Sequence, residues 1–125
     1  MTPLIREAKN VLMNYRRLAR LTGCSYSLDE IYRVTEESFM SEATVPQFVS
    51  EHCLNCQLAI ITAWQSLPSK EQQVIYYTYL GKEPMRMIEI AEKMDYSLKS
   101  VEKFKAQGSM RFLSEFKQRY KLSGS

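Results

Sequence analysis

Lys99, Ser100, Glu102, Lys103 and Gln107 place cationic, hydroxyl, carboxylate and amide side chains along the open side of one helix. That mixture of donors and acceptors suits base edges in a DNA major groove: lysine donates to guanine O6 and N7 or to phosphate, and Glu102 accepts from cytosine N4. Ser97, just ahead of them, together with the first backbone N–H groups of a helix, suits a phosphate. Arg86 and Lys93 upstream are candidate contacts to the sugar–phosphate backbone. Lys105, Arg111, Lys117, Arg119 and Lys121 add a sequence-independent attraction. The chemistry expected is recognition of double-stranded DNA.

Three other constellations compete with this reading. His52-Cys53-Leu54-Asn55-Cys56 sets two thiols at i and i+3 on one helix face, and Cys24 offers a third ligand for tetrahedral zinc. A second CxxC is missing, however, and the pair sits in an apolar-periodic run where cysteine is an ordinary small core residue. No metal and no cofactor are therefore expected, and a metal- or redox-switched regulator working through these cysteines is the third-ranked reading. Catalysis is not expected either. His52 is the sole histidine, no Gly-rich phosphate loop is present, and Asp29-Glu30 and Glu36-Glu37 read as solvated helix surface. Tyr76, Tyr77 and Tyr79 resemble a stacking platform for single strands, but Tyr76 and Leu80 at i and i+4 fit a core stripe better, leaving Tyr77 at the surface or over an interface.

The DNA-facing side chains need a frame, and the stretch from Leu67 to Leu113 supplies one. Ser69 and Gln72 are spaced as a capping box after Pro68, Gly81 closes the next apolar-periodic run, and Ser97 is an N-cap before Leu98 and Val101. Helices are expected over about 69–80, about 86–94 and about 98–113 or beyond. In the second, Met87, Ile90 and Met94 fill the buried side and the small Ala91 lets the next helix cross closely. Asp95-Tyr96-Ser97 is short enough to force a helix–turn–helix. After it, Val101, Phe104, Gly108 and Phe112 form the inward stripe, leaving Lys99, Ser100, Lys103, Gln107 and Met110 outward.

The order LPxKEQQV, then EIAEKM, then YSxxSVEKFK is similar to the sigma-factor region 4 that reads the upstream promoter element. The resemblance covers the C-terminal half. It implies a helix–turn–helix with a supporting helix, Ser97 as the cap, Val101 as the buried anchor, and Lys99, Glu102 and Lys103 facing bases or phosphates. Gly108 departs from the family's usual alanine. Gly in a helix interior costs roughly 0.5–1 kcal/mol relative to Ala, so a bend or an end is expected there. Asn14-Tyr15-Arg16-Arg17-Leu18 and the tail FKAQGSMRFLSEFKQRY narrow the likeness to small phage late-transcription regulators of the ArpU/RinA type.

Toward the N-terminus, a first helix is expected from Pro3 to about Leu21, with Leu4, Ala8, Leu12, Tyr15 and Leu18 or Ala19 inward and Gly23 as its stop. A second starts at the Ser27–Glu30 capping box and carries Leu28, Ile31, Tyr32 and Phe39. A third begins near Pro46, runs through Val49, Cys53, Cys56, Ile60, Ala63 and Trp64 to about Ser66, and joins the two halves.

With 125 residues, 45% hydrophobic and 25% charged, the chain can bury one sizeable core without disulfides. The fold class expected is all-α with about six helices. Residues 1–66 form an N-terminal helical segment for dimerisation or polymerase contact, residues 67–121 the DNA-binding unit, and residues 122–125 a tail. Residues 1–22 hold five Arg or Lys against one acid, residues 23–52 one Arg against six acids, and residues 97–125 seven Arg or Lys against two acids. Two basic ends around an acidic middle suggest separate surfaces for phosphates and for a protein, or for the chain's own basic ends. The charged opening MTPLIREAKN is no signal peptide, and no run approaches the ~18–20 apolar residues that span a bilayer, so a cytoplasmic protein with no membrane partner is expected.

The function expected is a sequence-specific transcriptional regulator, an activator of phage or mobile-element late genes acting with RNA polymerase, as a homodimer or with polymerase completing the contacts. The alternative is a sigma-mimicking adaptor or inhibitor that binds polymerase or another regulator instead of DNA. The chain is too short to add the core-promoter-binding half of a sigma factor, so autonomous promoter opening is not expected.

Overall fold

The computed structural model describes residues 2–44 and 51–120, and every element in them is helical. The expected start of the third helix at Pro46, its Val49, Lys121 and the tail 122–125 lie outside the described residues.

Thr2 caps α1 (Pro3–Leu12) by accepting from the Ile5 N–H, and Pro3 takes the first turn, where its missing N–H costs nothing. The helix expected to run on to Leu21 instead breaks at Met13 and Asn14. There the Asn14 N–H reaches back three residues to Val11 O, its side-chain amide donates to Asn10 O, and α2 (Tyr15–Thr22) starts afresh. Ala8, Leu12, Tyr15, Leu18 and Ala19 are buried as the periodicity predicts, whereas Leu4 remains 47% exposed. Gly23, at φ 73°, ends α2 in the left-handed conformation.

The Ser27–Glu30 capping box is formed, but the helix it opens, α3 (Leu28–Ile31), is a single turn. Thr35 and Ser38 form a second box that starts α4 (Glu36–Glu42), so the expected single helix reaching Phe39 is two. Gln65, at the end of α5 (Glu51–Gln65), explains why so short a turn persists. Its Nε2 donates to Ile31 O at 2.9 Å and to Val34 O at 2.8 Å, holding the end of α3 and the turn after it against α5.

The α5–α6 corner is closed the same way. Pro68, not Ser69, occupies the cap of α6 (Ser69–Ile75), and Gln72 makes no capping box. Its Nε2 donates to Trp64 O and Gln65 O, while Trp64 Nε1 donates to Gln72 O at 2.8 Å. The helix then widens into a π-helical turn over Tyr76–Leu80, which Gly81 closes with an N–H bond to Tyr76 O five residues back. Tyr76 and Leu80 are buried and Tyr77 is half-buried; the Tyr76 hydroxyl donates to Tyr26 O at 2.7 Å.

The last two elements are α7 (Met87–Met94) and α8 (Leu98–Arg119). The helix does not end at Gly108, and α8 is one helix of 22 residues. It packs against α1, α5 and α6 as well as α7. One core therefore joins Leu12, Tyr15, Phe39, Ile60, Trp64, Ile75 and Phe112, drawn from both the 1–66 and the 67–121 segments. A smaller cluster of Val74, Ile90, Ala91 and Val101 holds α7 against α6 and α8.

Candidate nucleic-acid interface

The turn between α7 and α8 is built by its own residues. Asp95 adopts φ 58° and ψ 46°, the Tyr96 N–H bonds to Ala91 O at 3.0 Å, and the Asp95 N–H bonds to Glu92 O. This is a Schellman closure with Asp in the place usually taken by Gly, tolerated because a short polar side chain fits the left-handed region better than most. Tyr96 then turns inward and meets Phe104 edge-to-face at 5.3 Å, with Lys70 Nζ 4.9 Å above its ring. Ser97 caps α8 by accepting from the Ser100 N–H at 3.1 Å. Three residues thus connect α7 to α8, and Val101, fully buried, seats α8 on α7 and α6.

Beyond this turn, Lys99, Glu102, Lys103, Gln107 and Met110 are exposed on α8. Lys99 and Lys103 make no ion pair among the described residues. Both are exposed on α8. Ser100 is different, being half-buried with its hydroxyl 3.0 Å from Ser97 Oγ, so both serines belong to the cap.

The other predicted cations divide. Arg86 occupies the cap of α7, where its N–H and Nε both donate to Glu89 Oε1, and its side chain is 80% exposed. Those bonds to the Glu89 carboxylate hold its pKa below the ordinary value. Lys93 lies over the Tyr77 ring at 5.5 Å, and Lys105 over Tyr79 at 5.7 Å. Burial, with Lys9 adding to it, lowers the Lys105 pKa.

Three further cations of the expected basic pull carry ion pairs within the chain. Arg111 pairs with the buried carboxylate of Glu71 at 3.1 Å, Lys117 pairs with Glu7 of α1 at 3.1 Å, and Arg119 pairs with Glu115. The Arg111 Nε–H is not aimed well enough at Glu71 Oε1 for a hydrogen bond, so that attraction is electrostatic. Their partners are far away in sequence or a turn away on the same helix, and charge counting alone does not separate them from Lys99 and Lys103. No ion pair among the described residues joins the acidic segment 23–52 to the basic ends.

Arg16 is the functional-looking side chain that sequence reasoning missed. It crosses to the end of the π-helical turn, donating from Nε to Gly81 O at 2.7 Å and from Nη2 to Thr78 O at 3.2 Å. Its place in the Asn14–Leu18 run was the only local signal.

Cys24 is buried in the loop after α2, and Cys53 and Cys56 are half-buried one turn apart on α5. Burial raises the Cys24 and Cys56 thiol pKa values, which disfavours the reactive thiolate. Among the described residues, no three His, Cys, Asp or Glu side chains are grouped to hold a metal ion, and no helix is long and apolar enough to cross a membrane. No protein family, curated protein or solved structure matches this chain.

Proposed function

We propose that this protein is a sequence-specific double-stranded DNA-binding transcriptional regulator whose reading helix is α8. The observation that carries the proposal is the pairing of a self-closed three-residue turn with an outer face on which Lys99, Lys103 and Gln107 stand uncovered. Such a face offers charge-assisted donors and an amide to a major groove while Val101 and Phe104 hold the helix from behind. The sequence resemblance supports RNA polymerase as the partner and activation of phage or mobile-element late genes as the role. One unit makes few base contacts, so paired half-sites on a dimer or contact with polymerase would complete recognition.

A specific observation favours the adaptor as second reading. Ile88, Leu98 and Met110 are 54%, 44% and 45% exposed around the same two helices, apolar area suited to a protein. Binding to duplexes from around the chain's own gene, followed across a salt series, separates the two. Sequence-preferring binding that a Lys99→Ala/Lys103→Ala double variant loses supports the regulator. Absence of preference in a well-folded protein, with capture of RNA polymerase, supports the adaptor.

A further inference from the structure

Arg16, Arg20 and Lys82 converge on a cleft of about 180 Å³ between α2 and the end of the π-helical turn, with Ser25, Tyr26 and Gly81 completing its wall. No carboxylate lines it, and none of the three cations has an ion pair among the described residues. Tyr26 also lines a neighbouring concavity that holds Asp29, Glu30 and Glu42 together with Arg33.

Arg16 gives the cleft a fixed donor. Its two bonds to Gly81 O and Thr78 O tie down the planar guanidinium, and of five N–H groups they leave three. Both partners are neutral carbonyls, so the partly buried charge lacks a counterion and burial lowers the Arg16 pKa. A bound anion would offset that cost, and a fork of this kind suits phosphate oxygens. At about 180 Å³ the cleft holds roughly six waters' volume and falls below the ~300 Å³ at which small-molecule sites begin. It has room for one phosphate group with the remainder of the ligand outside.

We propose that this cleft is a phosphate-binding site, filled either by a phosphorylated small molecule or by the backbone of a DNA duplex. The site stands on its own geometry and does not depend on α8 reading DNA.

The test uses the full chain and an Arg20→Ala/Lys82→Ala double variant, which removes two exposed side chains that make no ion pair among the described residues, with circular dichroism as the check on folding. Arg16→Lys is a second variant that keeps the charge and removes the fork. In the first arm, thermal melting is followed in sodium phosphate against sodium chloride at matched ionic strength and pH. A saturable rise in Tm with phosphate, weakened at least about tenfold in apparent affinity in the double variant, is expected for a free phosphorylated ligand. In the second arm, duplex affinity is measured in chloride. A backbone phosphate in the cleft predicts weaker binding by the double variant and a log–log salt slope reduced by about one to two, whereas a free ligand leaves both unchanged. Identical melting in the two salts with unaltered DNA binding overturns the proposal. So does phosphate stabilisation that persists undiminished in the double variant with DNA binding untouched, since the anion then sits elsewhere. If the chain binds no duplex at all, the first arm alone decides.

Discussion

Gly108 of α8 lies directly against Glu71 of α6: a Cβ at Gly108 would stand 3.1 Å from Glu71 Cβ and 3.3 Å from Ile75 Cγ1. The glycine that reads as a helix breaker is thus a point of close approach between α8 and α6. Glu71 Cβ is tied to its own backbone and cannot swing aside.

Gly108→Ala is therefore expected to destabilise, against the helix-propensity rule. Propensity favours Ala by roughly 0.5–1 kcal/mol, while overpacking costs about 1–3 kcal/mol. The net loss is about 1 kcal/mol, read as a lower urea midpoint. A rise in midpoint would mean that α6 and α8 are less closely packed than described.

Arg111→Ala and Arg119→Ala should differ sharply although both remove a paired arginine. Glu71 is buried and would be left without its cation, whereas Glu115 is reached by solvent. Because Arg111 is itself 59% exposed, water partly replaces it, and a loss of about 1–3 kcal/mol is expected against about 0–1 kcal/mol for Arg119→Ala. Glu71→Gln in the Arg111→Ala background should recover part of the loss. Equal effects for the two arginines would remove the special standing of the Glu71 pair.

Val101→Asp places a carboxylate in the apolar cluster where α6, α7 and α8 meet. A loss of roughly 3 kcal/mol or more is expected, visible in the melt and in helical circular dichroism. An unchanged melt would show that Val101 does not face inward.

Lys103→Ala should weaken specific duplex binding by about 1–3 kcal/mol if the side chain reads a base, and by less if it touches only phosphate. Lys93→Ala should have the smaller effect on DNA, because that ammonium rests over Tyr77. Reversal of the order, measured by fluorescence anisotropy, would move the reading surface from α8 to α7.

Stability should fall in alkali. Burial raises the pKa values of Tyr15, Tyr26, Tyr76 and Tyr79, so the folded chain keeps protons that the unfolded chain releases above about pH 10. Below that, both states are protonated and the stability is fully present. Through and above pH 10 it declines by up to about 1.4 kcal/mol per pH unit for each such group. Tyr15, whose buried hydroxyl makes no hydrogen bond of good geometry among the described residues, offers the control: Tyr15→Phe should cost little at pH 7 and flatten the alkaline decline. Urea midpoints between pH 8 and 11 that decline identically in both proteins would count against a buried, protonated Tyr15.

The all-α architecture, the stop at Gly23, the caps at Ser27 and Ser97, the three-residue turn at 95–97 and the outward Lys99, Lys103 and Gln107 were legible in the sequence. Each depends on hydrogen bonds and periodicity within a few residues, and side-chain-to-backbone bonds of that range form from local spacing alone. Other features depended on groups remote along the chain. Gln65 supports α3 from thirty-four positions away, Arg16 reaches Gly81 across sixty-five, and Glu71 recruits Arg111 from α8. The role of Gly108 and the division of the basic residues into uncovered and internally paired were decided by tertiary packing, whereas the Thr35–Ser38 box that starts α4 is as local as the cap at Ser27. A side chain's type sets what it can bond to, but only the fold decides which of several eligible partners comes within reach.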